Sequence, residues 1–267
     1  MRILKRFFVE ILRTIQIIGM DTLQFFERCG RFFMFVFYSL RYSLTPKWYP
    51  RLILEQMAKI GFYSLPVVGL TAIFTGGVLA LQTYSGASRF SAASTVPTIV
   101  VLSITRELGP VLAGLMVAGR ISASIAAEIG TMRVTEQIDA LTTLSTNPHR
   151  YLIAPRVIAS TLTVPILVLI ADIIGILGGF LASVYSLGFS AGPYIQKTFE
   201  YLERGDVISG LIKATVFGYI IALMGCFNGY NSKGGAEGVG RATTNAVVSA
   251  SILILLFNYI MTQIFFV

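Results

Sequence analysis

Residues 60–88 read IGFYSLPVVGLTAIFTGGVLALQTYSGAS, 29 positions without an Asp, Glu, Lys or Arg. A helix needs roughly 20 mostly apolar residues to cross a bilayer, so this stretch is long enough to span. It has company. Ile173–Gln196, Ala214–Ser232 and Ala242–Val267 are also free of charge, over 24, 19 and 26 residues. The 267-residue chain is 55% hydrophobic and 13% charged, about half the charge of an ordinary soluble domain. The expected fold class is all-α, a polytopic membrane protein. Its first 50 residues form interfacial helices, and residues 51–267 form a membrane domain of about five transmembrane helices.

The spans are placed near Leu54–Tyr84, Val96–Ala123, Leu152–Ser183, Val207–Asn228 and Thr243–Phe266. Upstream of them, Ile3, Leu4, Phe7, Phe8, Ile11, Leu12, Ile15 and Ile18 fall on one helical stripe. Arg2, Lys5, Arg6, Arg13 and Gln16 back it. Such a helix lies in the membrane interface, basic side toward anionic headgroups. Glu10 and Arg13 interrupt the apolar region and no small-residue cleavage site follows, so the segment is expected to be retained rather than removed as a signal peptide. A second interfacial piece is expected over Leu23–Tyr42, with a break at Pro46–Pro50.

Net charge is +8, and ten of the 21 basic residues lie within the first 59. They interleave with Phe, Ile and Leu, which argues for a membrane surface and against nucleic acid. The positive-inside rule makes the N-terminus cytoplasmic. Five spans then place the C-terminus on the opposite, periplasmic side. Counted over the expected loops, sixteen basic residues fall inside and four outside, Arg89, Lys197, Arg204 and Lys213. Pro66, Pro97, Pro110 and Pro165 are expected to kink spans. Gly119, Ala123 and Ala127 recur every four residues, and Gly175, Gly178 and Gly179 line another helix. Both patterns allow close helix approach, within the chain or at a dimer seam. Cys29 and Cys226 form no disulfide or metal pattern, and the lone His149 no metal site. No nucleophile–base arrangement is present, so no catalytic residue is expected and the chain is not read as an enzyme.

Two segments stand apart from this apolar background. The first is GTMRVTEQIDAL, residues 130–141, polar and helical in pattern between two spans. On a helix Val134, Ile138 and Leu141 share one stripe, while Arg133, Glu136 and Asp139 take the other half. A helix over about 128–146 is expected in the cytoplasm, its charged side either merely solvated or docked to a partner. The second is Arg106-Glu107 inside the second span. Each such charge costs roughly 2.5–3.5 kcal/mol at the bilayer centre. The pair therefore either bridges to another helix, with Asp172 or Lys213 available, or forms a polar patch in an apolar cavity suited to an amphiphile.

The block RELGPVLAGLMVAGRISASIAAEIGTMRVTEQIDAL at 106–141 resembles the permease subunits of Mla-type ABC lipid transporters, the MlaE/YrbE family. NP at 147–148, PR at 155–156, FNGY at 227–230, RATT at 241–244 and GGVLALQTY at 76–84 extend the resemblance over most of the chain. The resemblance implies that the helix near 128–146 is a coupling helix, with Glu128, Arg133, Glu136 and Asp139 meeting a P-loop ATPase. The chain has no G-x-x-x-x-G-K of its own, so ATP and Mg would be bound by that partner and no cofactor by this chain. It also implies a homodimer in the bacterial inner membrane, a periplasmic MCE-domain protein and, in many systems, a STAS-domain protein. Phospholipid is the implied cargo, moved between the inner and outer membranes. Its pocket would contain Arg106 and Glu107, with Leu79 and Phe90 as tail contacts. The rival reading is an ion-coupled secondary transporter or channel using Arg106, Glu107 and Asp172. A third is a membrane anchor that only scaffolds partners.

Overall fold

The computed structural model describes residues 2–46 and 48–266; within its first helix, side chains are described at Gln16, Gly19, Met20, 22–24 and from Phe26 onward. The apolar stripe and basic back expected over residues 2–18 lie, except for Gln16, outside the described side chains. All regular elements among the described residues are helical. Five segments are long and apolar enough to cross a membrane: Pro50–Phe90, Ala93–Val134, His149–Ser186, Arg204–Tyr230 and Gly235–Phe266. Each of the five expected spans falls inside one of them.

The two interfacial pieces expected at the N-terminus are instead one helix, Arg2–Leu44. At 1.5 Å per residue its 43 residues extend about 65 Å. Only single glycines, Gly19 and Gly30, interrupt its sequence, and one glycine costs a helix about 1 kcal/mol without ending it. Its last turns dock on the membrane domain. Phe35 and Ser39 are buried, and Asn147 Nδ2 donates to Tyr42 Oη at 3.0 Å.

The first span also differs in detail. An amphipathic helix, Pro50–Gly61, is followed by a turn and then by Leu65–Ala87. Pro66 therefore starts a helix rather than kinking one, a position where its missing N–H leaves no hydrogen bond unmade. Leu65–Ala87 has 23 residues, about 35 Å of helix, enough for a hydrocarbon core of about 30 Å.

The fourth span forms the centre. Of its most apolar window 61% is buried, against 22% for the first span and 17% for the fifth. Glycines set how closely the helices approach. A Cβ on Gly218 would stand 2.6 Å from the Ser160 carbonyl oxygen, and one on Gly76 1.9 Å from that of Gly175. A Cβ on Gly178 would meet the Ile73 carbonyl oxygen at 2.2 Å. The 175–179 glycine line thus packs the third span on the first within the chain. Gly119 would meet nothing within 4 Å, so the 119–127 stripe is not closed at that end.

The spans alternate in direction. The N-terminal helix, the 135–148 connection and the 231–234 turn share one side of the domain, called here the N-terminal side. The 88–92 turn and the end of the fifth span lie on the other. There an unforeseen helix, Ala191–Tyr201, packs on the start of the second span.

Candidate functional site

Arg106 and Glu107 occupy a π-helical turn, Ile104–Leu108, in the second span. Single π turns inside α-helices recur at functional sites. Two residues further on, Pro110 has no N–H, so the Arg106 carbonyl receives no bond from the residue four ahead. Lys213 Nζ donates to that carbonyl at 2.9 Å. The same ammonium donates to Glu107 Oε1 and to Thr262 Oγ1, both at 2.8 Å. Its three protons are thereby accounted for.

Glu107 accepts twice more, from Asn258 Nδ2 at 2.9 Å and Thr262 Oγ1 at 2.9 Å. The Thr262 hydroxyl also lies 2.8 Å from the Asn258 carbonyl. It has one proton, and the bond to the carboxylate is the stronger of the two. Arg106 turns the other way, donating through Nε to Asp206 Oδ1 at 2.7 Å. Asp206 is itself fixed by a capping box with Glu203 at the start of the fourth span. The Phe266 ring covers both cations, 4.7 Å from Arg106 Cζ and 5.8 Å from Lys213 Nζ.

The cluster therefore holds two cations and two carboxylates from the second and fourth spans, capped by the fifth. Burial divides it. The Lys213 and Asp206 side chains are 0% and 3% exposed, whereas those of Arg106 and Glu107 are 34% and 36% exposed. The hidden pair holds the open pair in place, and the open pair presents one positive and one negative group. Of the two partners offered by the sequence, Glu107 takes Lys213 and neither Arg106 nor Glu107 takes Asp172. Lys213, counted above among loop cations, lies ten residues into the fourth span.

Asp172 is buried against Gly109, where a Cβ would meet its Oδ1 at 1.8 Å. Among the described residues it has no ion pair, and its Oδ1 has no hydrogen-bond partner. The bridge to Asp172 that the sequence offered is not formed: Arg106 is held by Asp206 and Lys213 by Glu107. Leu79 packs on a small cluster containing Val96, Val100 and Ile104, two residues from Arg106. Phe90 stands at the turn after the first span, 84% exposed.

The single helix expected over 128–146 is divided. The second span continues to Val134, the chain turns at Thr135-Glu136, and a seven-residue helix follows, Gln137–Thr143. Glu136 makes the turn in the left-handed region, φ 60°, at a cost of roughly 1–2 kcal/mol for a residue with a Cβ. The turn also rotates the two halves of the expected stripe apart. Ile138 is buried, Leu141 is half-buried, and Val134 is exposed.

Arg133 Nη1 and Asp139 Oδ1 close across the turn at 2.6 Å, clasping the short helix to the end of the second span. Both, with Glu136, are solvent-accessible. Glu128 lies further back on the second span and pairs with the buried Arg156 at 2.9 Å. Its carboxylate, like that of Asp139, is thus paired inside the chain, but with a buried partner rather than an accessible one.

Asp206, Asn258, Thr262 and Arg156 were not singled out from sequence. Asp206 has a local signal, its three-residue spacing from Glu203 at a helix start. Asn258 and Thr262 have only a four-residue spacing on an apolar helix.

The profile of the family described as "Permease MlaE" matches residues 53–264. A Rickettsia prowazekii protein named "Probable ABC transporter permease protein" is 58% identical over 256 residues, covering 96% of this chain and 99% of its own. A Synechocystis protein with a similar description is 40% identical, over 80% and 81% of the two chains. "Intermembrane phospholipid transport system permease protein MlaE" of Haemophilus influenzae is 35% identical, over 96% and 98%.

Proposed function

The chain belongs to the MlaE permease family, and from that premise we propose that this ABC transporter permease moves phospholipid between the inner and outer membranes of a bacterial envelope. The observation that carries the proposal is the open pair, Arg106 and Glu107, set in an apolar membrane domain. A phospholipid headgroup brings a phosphate, which Arg106 attracts, and in zwitterionic lipids an amine, which Glu107 attracts. Acyl tails run along apolar surface, with Leu79 and Phe90 among the contacts. The H. influenzae relative's printed name, a phospholipid transport system permease, supports this cargo.

The chain is the membrane subunit and not the ATPase. Mg-ATP is bound and hydrolysed by a separate P-loop subunit that grips Glu136 and Asp139, with Arg133 and Glu128 behind them. Two copies of the chain form the membrane dimer, the N-terminal side faces the cytoplasm, and the C-terminus lies in the periplasm. A periplasmic MCE-domain protein and a STAS-domain protein complete the assembly. A push on the short helix passes through the Arg133–Asp139 clasp into the second span. That span contains two π turns, Ile104–Leu108 and Ala118–Ser122, which are points where a helix bends. Movement there would displace Arg106 and Glu107 and reshape the apolar surface around the lipid. The ion-carrier alternative needs Arg106, Glu107 and Asp172 to act together, and Asp172 faces Gly109 rather than either of them.

The test is affinity purification from native membranes with mass spectrometry of proteins and lipids. A P-loop ATPase that co-purifies with the wild type, and is lost when Glu136 and Asp139 become Lys, supports the reading. A chain that comes alone, in a detergent that preserves comparable complexes, refutes it.

A further inference from the structure

A second polar site lies on the N-terminal side, away from Arg106 and Glu107. It is a groove of about 900 Å³ between the N-terminal helix and the ends of the fourth and fifth spans. Arg28 and Arg31 come from the N-terminal helix, and Lys233 from the turn joining the last two spans. Asn231 adds a polar wall, and Phe33 and Phe227 apolar ones. The lining contains no carboxylate. Glu27 stands 3.7 Å from Arg31 at the rim, and both side chains are more than half exposed, so this pair neutralises little. The floor is firm, since the Phe32 and Phe227 rings meet edge to face at 5.2 Å.

Another groove, of about 770 Å³, offers a contrast. It also holds two cations, Lys59 and Arg120, but it includes Glu128, and Arg120 already donates to Ser64 Oγ at 2.8 Å. Of these two, the first groove gathers cations without an acid among the described residues of its walls. Basic pockets between helices at the cytoplasmic end of a membrane domain suit phosphate headgroups of anionic lipids.

We propose that the Arg28–Arg31–Lys233 groove holds the headgroup phosphate of an anionic phospholipid of the adjoining leaflet. This lipid is resident rather than transported, and it ties the N-terminal helix to the turn between the fourth and fifth spans. The phosphate lies among the three cations, and the glycerol and upper acyl chain lie against Phe33 and Phe227. The choice of leaflet rests on the orientation proposed above; the site itself does not.

The test is native mass spectrometry of the chain with its partners, released from nanodiscs of equal phosphatidylcholine and phosphatidylglycerol. These discs present both lipids to both faces, so the outcome is independent of orientation. The wild type should retain phosphatidylglycerol in excess over phosphatidylcholine. Each cation at a membrane surface strengthens anion binding about fivefold, so the triple substitution to Gln at 28, 31 and 233 should weaken retention by about a hundredfold and abolish the excess. A double variant at the other site, Glu107→Gln with Lys213→Met, should leave it intact. An excess that survives the triple substitution, or disappears in the double variant, overturns the proposal. So does displacement of the lipid by 20 mM inorganic phosphate, which would make this a site for the free anion. An excess that survives the triple substitution, or displacement by inorganic phosphate, leaves the transport reading standing, since that reading rests on Arg106 and Glu107; an excess lost in the double variant would assign the retained lipid to that other site instead.

Discussion

Replacing Glu107 by Gln removes one charge and leaves the side chain's shape. Lys213 then keeps its ammonium at a position with no exposure, facing three neutral acceptors: the Arg106 carbonyl, the Thr262 hydroxyl and the new amide oxygen. Removing one partner of a buried ion pair costs about 3–5 kcal/mol. The surviving acceptors and the partial exposure of residue 107 place this case at the low end, about 3 kcal/mol. For a chain of this size 1 kcal/mol moves a melting midpoint by about 2–4 °C, so the expected fall is about 6–12 °C. Lys213→Met should cost less, about 1–2 kcal/mol, because Glu107 keeps Asn258 and Thr262 and is open to water. Made together, the two substitutions remove both charges, a change that is commonly neutral or stabilising. The double variant should therefore melt within about 3 °C of wild type. The assay is fluorescence-detected size exclusion after heating in detergent. Additive losses in the double variant, or a Glu107→Gln midpoint unchanged within 2 °C, would refute the reasoning.

Gly76→Ala should lower the midpoint by several degrees, since a Cβ meets the Gly175 carbonyl at 1.9 Å, whereas Gly119→Ala should not, since nothing lies within 4 Å; the same heating assay reads both, and equal effects would contradict the packing described. Asp172→Asn breaks no ion pair and should leave the midpoint within about 2 °C; a fall like that of Glu107→Gln would mean that Asp172 has an ionic partner. Swapping Arg133 and Asp139 should restore the clasp and the midpoint yet still weaken ATPase recovery in a pull-down, because the surface charges are inverted. Recovery equal to wild type would remove these two residues from the docking face.

The first and last crossings were legible because a charge-free run of 20 or more residues has few other uses, whereas the middle three, which carry Arg106, Glu107, Arg156, Asp172 and Lys213, were legible from their overall apolar character. The opening stretch at 60–88 shows how far that goes. Its length marks the crossing, but the break at 62–64 depends on Pro66 heading a helix, and a hydropathy run does not separate a proline that starts a helix from one that bends it. The N-terminal helix was divided too early because amphipathic pattern and continuity are independent properties, and Gly19 was too weak a breaker. Arg106 and Glu107 were visible as charges out of place. Their partners were less so, since Asp206 and Lys213 lie a hundred residues away and no local period joins them. Lys213 in particular falls inside the expected fourth span, Val207–Asn228, yet reads as a loop cation because a lysine near a span end can reach the interface; the structure buries it instead. The Glu136 turn was hidden for a different reason. A left-handed residue is ordinarily Gly or Asn, and a Glu there gives no warning that the helix stops.

The most direct measurement is ATP-driven transfer of labelled phospholipid out of proteoliposomes containing the chain with its co-purified ATPase, wild type against the double variant Glu107→Gln with Lys213→Met. The account predicts transfer by the wild type and, in a double variant that remains folded and retains its ATPase, loss of transfer. A double variant that moves phospholipid at the wild-type rate, or a wild-type complex that hydrolyses ATP and moves none, would contradict it.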